Sequence, residues 1–153
     1  MKTSSAELGK VLTELITANV DRASAYRYVT ESSSNLYSDL TGIFHRMSEK
    51  SIQFADDLRK ELQQLPPIPN DAAIGNGNSS TALKNGFDLN DRGGVLAGYE
   101  KREENIQRVY GRALDNASVN SAPLLRELLA AQKMSLKIAY ETIRKYRQPE
   151  YVR

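Results

Sequence analysis

Four stretches of this chain place core-type residues at alternating three- and four-residue steps, a spacing that returns to one face of an α-helix. In the first stretch the stripe is Leu8, Leu12, Leu15, Asn19, Arg22, Tyr26 and Val29. In the second it is Leu40, Ile43, Met47, Ser51, Phe54, Leu58 and Leu62. Leu96, Tyr99, Glu103, Ile106, Tyr110 and Ala113 make the third, and Leu125, Leu128, Gln132, Ser135, Ala139 and Ile143 the fourth. The pattern predicts helices over about residues 4–32, 36–65, 94–116 and 121–147. Each is roughly 25 residues, or about 38 Å at 1.5 Å per residue. Matched lengths let four stripes bury one another along a common axis, so the expected fold is an all-α, antiparallel four-helix bundle. At 153 residues the chain fits a single domain, 1–153.

The helix ends carry their own signals. Ser4-Ser5-Ala6-Glu7 reads as a capping box, in which the serine hydroxyl and the glutamate each satisfy an orphan amide. The serines of Glu31-Ser32-Ser33-Ser34 favour a turn. Leu65-Pro66-Pro67-Ile68-Pro69 stops the second helix, because proline lacks the amide proton and constrains its predecessor. Gly93-Gly94 precedes the third helix. Pro123 fits the first turn of the fourth, where a missing amide proton costs little, and Pro149 closes that helix. Residues 66–93 are too long for a tight hairpin and are expected to cross over between the second and third helices. Within them Ala82, Leu83 and Phe87 suggest a short extra helix over about residues 81–89.

The two halves echo each other. An offset of 84 residues carries Asn19 onto Glu103 and Tyr26 onto Tyr110. A duplicated helical hairpin would give this pattern, and so would coincidence between two heptad-like stripes.

Composition narrows the function classes. Twenty-one basic and 19 acidic residues leave a formal charge of +2, so no strong field attracts nucleic acid or an acidic membrane. The absence of cysteine excludes disulfides, thiolate catalysis and thiolate-bound metal. Met1 to Lys10 lacks the basic start and apolar run of a signal peptide, and no run approaches the ~18 apolar residues that span a bilayer. The expectation is a cytoplasmic protein without nucleic-acid or membrane partners.

Several segments together resemble a known family. Leu12-Thr13-Glu14-Leu15-Ile16 followed by Asp21 and Tyr26 is similar to the first helix of uncharacterised bacterial four-helix-bundle proteins related to ferritins and rubrerythrins, a domain of unknown function. Glu49 with Phe54 resembles their second helix. Tyr99-Glu100-Lys101-Arg102-Glu103-Glu104, then Tyr110 and Ala113-Leu114, resembles their third. The similarity runs over about residues 8–147 and implies a ferritin-like bundle with no assigned reaction. The link to bacterial stress physiology comes from the resemblance alone.

Di-iron relatives need one Glu from each of two helices and a Glu-x-x-His from each of the other two. On this chain the single-ligand positions fall at Asn19 and Glu103. The paired positions fall near Glu49 or Ser51 and near Gln132 and Ser135. No Glu-x-x-His occurs, and His45 is the only histidine. Neutral Asn and Gln supply neither the charge nor the donors that two iron ions require. The expected site is therefore a polar layer made by Asn19, Arg22, Tyr26, Ser51, Glu103, Tyr110 and Gln132, with no catalytic residue, cofactor or metal.

Glu103 makes the firmest demand. A buried carboxylate needs a partner, and Arg22, Tyr26 and Tyr110 are the candidates. The alternative is a divergent di-metal carboxylate protein using Glu49, Glu103 and His45. Helical spacing turns Glu49 away from Met47 and Ser51, and His45 four residues before it suits an ordinary surface pair. A small-molecule pocket near Asn19, Glu103 and Gln132 is a third possibility. Gly75-Asn76-Gly77-Asn78 lacks the strand and lysine of a phosphate loop. The basic run Arg144-Lys145-Tyr146-Arg147 suits a helix C-terminus. Val20, Val95 and Val109 lie outside the stripes and motivate self-association. The leading reading is a non-catalytic bundle that binds or assembles, with no identifiable small-molecule ligand.

Overall fold

The computed structural model describes residues 2–32, 38–66 and 91–147. Within them the chain forms α1 (Lys2–Ser32), α2 (Thr41–Gln63), α3 (Arg92–Asp115), the single turn α4 (Ala117–Asn120) and α5 (Pro123–Arg147). The short helix expected around Phe87, the Gly-Asn loop and Pro149 lie outside the described residues.

Side-chain bonds set the arrangement. Asn19, Arg22 and Ala23 of α1 meet Ser51, Met47 and Ser48 of α2 as that chain runs back. Asn19 also meets Tyr110 of α3, and Tyr26 meets Glu103, so α1 and α3 are antiparallel. Tyr110 bonds Gln132 and Glu104 bonds Tyr140, which makes α3 and α5 antiparallel. Four long helices thus form two hairpins, α1–α2 and α3–α5, with α2 and α3 running the same way. Two parallel helices in succession require a connection as long as the helices themselves, and 27 residues separate the end of α2 at Gln63 from the Asp91 cap of α3 in the sequence.

The local endings differ from the sequence expectation in three places. Helix α1 already begins at Lys2, so Ser4 stands inside it and not at its cap. Helix α2 begins at Thr41, later than expected, after the turn 38–40. Gly93-Gly94 does not precede α3 but forms its first turn: Asp91 is the cap, its Oδ1 accepting from the Gly94 amide at 3.0 Å. A β-carbon on Gly94 would collide with that carboxylate, so glycine is what lets the cap close. Between α3 and α5, Asn116 caps α4 through bonds from the amides of Ser118 (2.8 Å) and Val119 (3.3 Å). Asn120 donates back to the carbonyls of Leu114 and Asn116 and accepts from Arg126, which ties this corner together.

The buried face of each helix is wider than the sequence stripe. Ile16, Ala23 and Ala25 on α1, Phe44 and Ala55 on α2, Val95 and Val109 on α3, and Leu129 and Leu136 on α5 are all buried. A bundle helix touches two neighbours, so its apolar arc must span both contacts. This corrects the motive for self-association: Val95 and Val109 are core residues, and Val20 packs on the core's edge. Among the described residues the large apolar side chains that do face outward are Ile52, Leu124, Met134 and Ile138. Among the described residues no helix is long and apolar enough to cross a membrane.

The core has two halves. One holds Leu12, Leu15, Phe54, Leu58, Ile106, Leu125 and Leu129 around Val119 of α4. The other holds Val29, Leu40, Phe44, Leu96 and Ile143 around a trio of rings. Tyr26 stacks on Tyr99 with centroids 4.7 Å apart, and Phe44 tilts against both. Such contacts add about 0.5–1.5 kcal/mol per pair beyond burial. Between the two apolar halves lies the polar layer.

Candidate functional site

Asn19, Arg22, Ser51, Glu103 and Gln132 are buried together, with Tyr26 and Tyr110 turning their hydroxyls in from either side. Every long helix contributes: Asn19, Arg22 and Tyr26 from α1, Ser51 from α2, Glu103 and Tyr110 from α3, Gln132 from α5. All seven residues singled out in the sequence meet in one bonded layer.

The centre is an ion pair. Arg22 Nε donates to Glu103 Oε2 at 2.8 Å and Nη2 donates to Oε1 at 3.2 Å, a two-pronged contact that matches the planes of both groups. Arg22 Nη1 donates to the Met47 carbonyl (3.1 Å) and to Ser51 Oγ (2.8 Å). Tyr26 donates its hydroxyl to Glu103 Oε2 at 2.7 Å, and the guanidinium lies 5.2 Å from the Tyr26 ring centroid. Glu103 is 0 % exposed and Arg22 6 %. Charges so deeply buried persist only with such partners.

The flanking bonds continue the network. Ser51 donates to Asn19 Oδ1 (2.9 Å), Asn19 Nδ2 donates to Tyr110 (2.8 Å) and to the Leu15 carbonyl (2.9 Å), and Tyr110 donates to Gln132 Oε1 (2.6 Å). The chain ends there, because Gln132 Nε2 is buried without a hydrogen-bond partner. The repeat in the sequence acquires a meaning here. Asn19–Tyr110 and Glu103–Tyr26 join the same two positions carried through the 84-residue offset, with the tyrosine hydroxyl accepting in the first and donating in the second. Arg22 breaks the symmetry, for its counterpart at that offset is the apolar Ile106.

The environment shifts the ionisable groups. Burial alone would lower the Arg22 pKa, but the Glu103 carboxylate, with Tyr26 and Tyr110, more than offsets it and the pKa ends raised. Burial, reinforced by Glu103, pushes the Tyr26 phenol well above its ordinary value. Burial also raises Tyr110, against the lowering effect of Asn19. The layer therefore keeps a fixed cation and protonated phenols across the neutral range.

The residues of the alternative metal set are not brought together. His45 and Glu49 pair with each other at 3.2 Å on the outside of α2, each about two-thirds exposed, whereas Glu103 is in the centre. Among the described residues no three His, Cys, Asp or Glu side chains gather as metal ligands. Of the positions aligned with di-iron ligands, Asn19, Ser51, Glu103 and Gln132 do share the layer. Ser135 is half-buried at the α2–α5 seam.

Other contacts had no single-residue signal in the sequence. Ser48 bonds the Ala23 carbonyl (3.0 Å), and Tyr99 donates to the Ala25 carbonyl. Glu100, nearly buried, takes Arg147 directly and Arg144 at 3.7 Å, so the basic end of α5 serves a carboxylate as well as the helix dipole. Arg92 grips Asp39 through both nitrogens at 2.9 and 2.8 Å, and that bond holds the Asp39 pKa low.

Two grooves flank the layer, each along a seam between the hairpins. One of about 510 Å³ opens between α1 and α3 over Asp21, Tyr26 and Glu103. The other, about 290 Å³, opens between α2 and α5. Arg22 borders both, so the ion pair is the partition between them. Compared with protein-family models, curated proteins and solved structures, the chain matches none.

Proposed function

We propose that this chain is a ferritin-like four-helix bundle in which an internal arginine takes the role that metal ions play in di-iron relatives, and that it acts by binding or assembly and not by catalysis. The carrying observation is the Arg22–Glu103 pair at the centre of the layer. In a di-iron bundle, carboxylates from the helices converge on cations in mid-bundle. Here one carboxylate converges on a guanidinium, and the remaining helices offer neutral Asn, Ser and Gln. The Glu103 charge is answered without an ion, the atom of the layer left unpartnered is the Gln132 amide nitrogen, a donor that cannot ligate a metal, and a cation entering would meet Arg22 at close range.

The helix order supports the ferritin-like part: two antiparallel hairpins joined by a long connection between parallel helices. The sequence resemblance extends the proposal to bacteria and to stress physiology, and the cytoplasmic setting expected from composition is carried with it. Homo-oligomer formation is part of the same proposal, with Leu124 and Met134 on the outside of α5 as its apolar surface.

Metal analysis combined with molar mass, on one natively purified preparation, tests the reading. It calls for metal-free protein and a mass above that of one chain. Stoichiometric iron or manganese that is lost in Glu103→Ala would overturn the non-catalytic part. A monomer at high concentration would remove the oligomer.

A further inference from the structure

The seam between α2 and α5 carries a pocket whose lining has a consistent chemical bias. Its floor is apolar: Met47 and Phe54 from α2 and Leu136 from α5 are all buried there. Ile43 and Ala139 continue the wall, and Ile138 stands at the mouth, 60 % exposed. The charged groups that line it among the described residues are all cations. Arg46 and Lys50 rise on the exposed side of α2, one turn apart, while Arg22 borders the inner end. Ser135 and Thr142 supply hydroxyls from α5. Among the described residues no carboxylate lines the pocket.

The cations differ in availability. Arg22 is already neutralised by Glu103. Arg46 and Lys50 form no ion pair among the described residues, whereas Arg59, Arg92, Arg112, Arg144 and Arg147 all do. Glu49, the nearest acid along α2, is taken by His45. An apolar slot of about 290 Å³ with two unneutralised cations at its mouth is small for a ligand site, which typically spans ~300–1,000 Å³. It suits a single chain and excludes a two-chain lipid.

We propose that this pocket binds a single-chain amphipathic carboxylate, its aliphatic tail along Met47, Phe54 and Leu136 and its head group between Arg46 and Lys50. The proposal rests on reading the chain as a binding protein, and it names the ligand class. The tail replaces water against apolar surface, and the head completes a charge that the protein leaves open.

Calorimetric titration of the full chain with sodium octanoate tests it, with octylamine and octan-1-ol as head-group controls. The expected result is saturable octanoate binding, at least tenfold weaker octan-1-ol, and no octylamine binding. The exposed double variant Arg46→Glu/Lys50→Glu, checked for helicity, should lose octanoate affinity at least tenfold and gain octylamine. Ala139→Phe should fill the slot and abolish both. Equal affinity for octanoate and octylamine, or octanoate binding untouched by the charge reversal, would overturn the assignment. So would preference for vesicles of anionic phospholipid that octanoate does not compete away. A chain that ignores octanoate and instead dimerises until Ile138→Lys is introduced would overturn it too, in favour of a second copy as occupant. Failure here is separable from failure of the functional proposal. Metal-free protein that ignores octanoate leaves the closed interior standing, whereas protein that loads iron removes it whatever octanoate does.

Discussion

Arg22→Met is the perturbation that most sharply weighs the ion pair. Methionine keeps much of the apolar stem but removes every donor, so Glu103, with no exposed surface, is left with the Tyr26 hydroxyl alone. Removing one partner of a buried pair costs about 3–5 kcal/mol, because the other charge is stranded. For a chain of this size that corresponds to a fall of about 6–20 °C in Tm. Glu103→Leu should cost a similar amount by stranding Arg22 and the Tyr26 hydroxyl. The double variant strands no charge and leaves chiefly the Tyr26 hydroxyl without its acceptor, about 1–3 kcal/mol. The two substitutions together should therefore be milder than either alone, or equal to the milder one, with a coupling of about 3 kcal/mol or more. Equilibrium urea denaturation followed by far-ultraviolet circular dichroism measures all four corners of the cycle. Additivity within about 0.5 kcal/mol would refute the account of the layer as one electrostatic unit.

Three further outcomes follow from individual contacts. Tyr110→Phe leaves Gln132 Oε1 without a donor and Asn19 Nδ2 with the Leu15 carbonyl alone, whereas Gln132→Leu strands only the Tyr110 proton and removes an amide nitrogen that is already unpartnered. Tyr110→Phe should cost about 1–3 kcal/mol and Gln132→Leu within about 1 kcal/mol, and urea midpoints in the reverse order would contradict this. The raised Tyr26 and Tyr110 phenols bind protons more tightly folded than unfolded. Their contribution is fully present below the ordinary tyrosine pKa of about 10 and is lost as pH rises beyond it, so stability should fall with alkali and tyrosinate absorbance should lag until unfolding. Full tyrosine titration with the helices intact would refute it. Asn116→Ala removes the cap of α4 and should cost about 1 kcal/mol by thermal denaturation, with no change showing the corner to be held otherwise.

The sequence carried the stripes, and the stripes carried the layer. Arg22, Tyr26 and Glu103 were legible as partners because a mid-stripe carboxylate must be answered by a cation or a hydroxyl, and both answer it. Exposed Glu49 was legible from its angle on the helix, since each residue turns about 100°. The full width of the core was not legible: Phe44, Val95 and Leu136 sit beside the stripe, and only the second neighbouring helix makes them interior. Four residues are too few to show a period, so α4 was hidden although its cap, Asn116, stood where a helix end was expected. Asp91 was hidden by the glycines after it, which look like a break and serve as a first turn. The α2–α5 pocket depends on how two hairpins meet, and Arg46 and Lys50 alone read as solvated charge.

Ferrous-ion titration of the purified chain without oxygen, read by calorimetry and by bound iron after gel filtration, tests the central claim most directly. With Arg22 seated against Glu103, the account predicts no saturable uptake. Saturation at about two ions per chain, the stoichiometry of a di-iron bundle, abolished by Glu103→Ala, would contradict it.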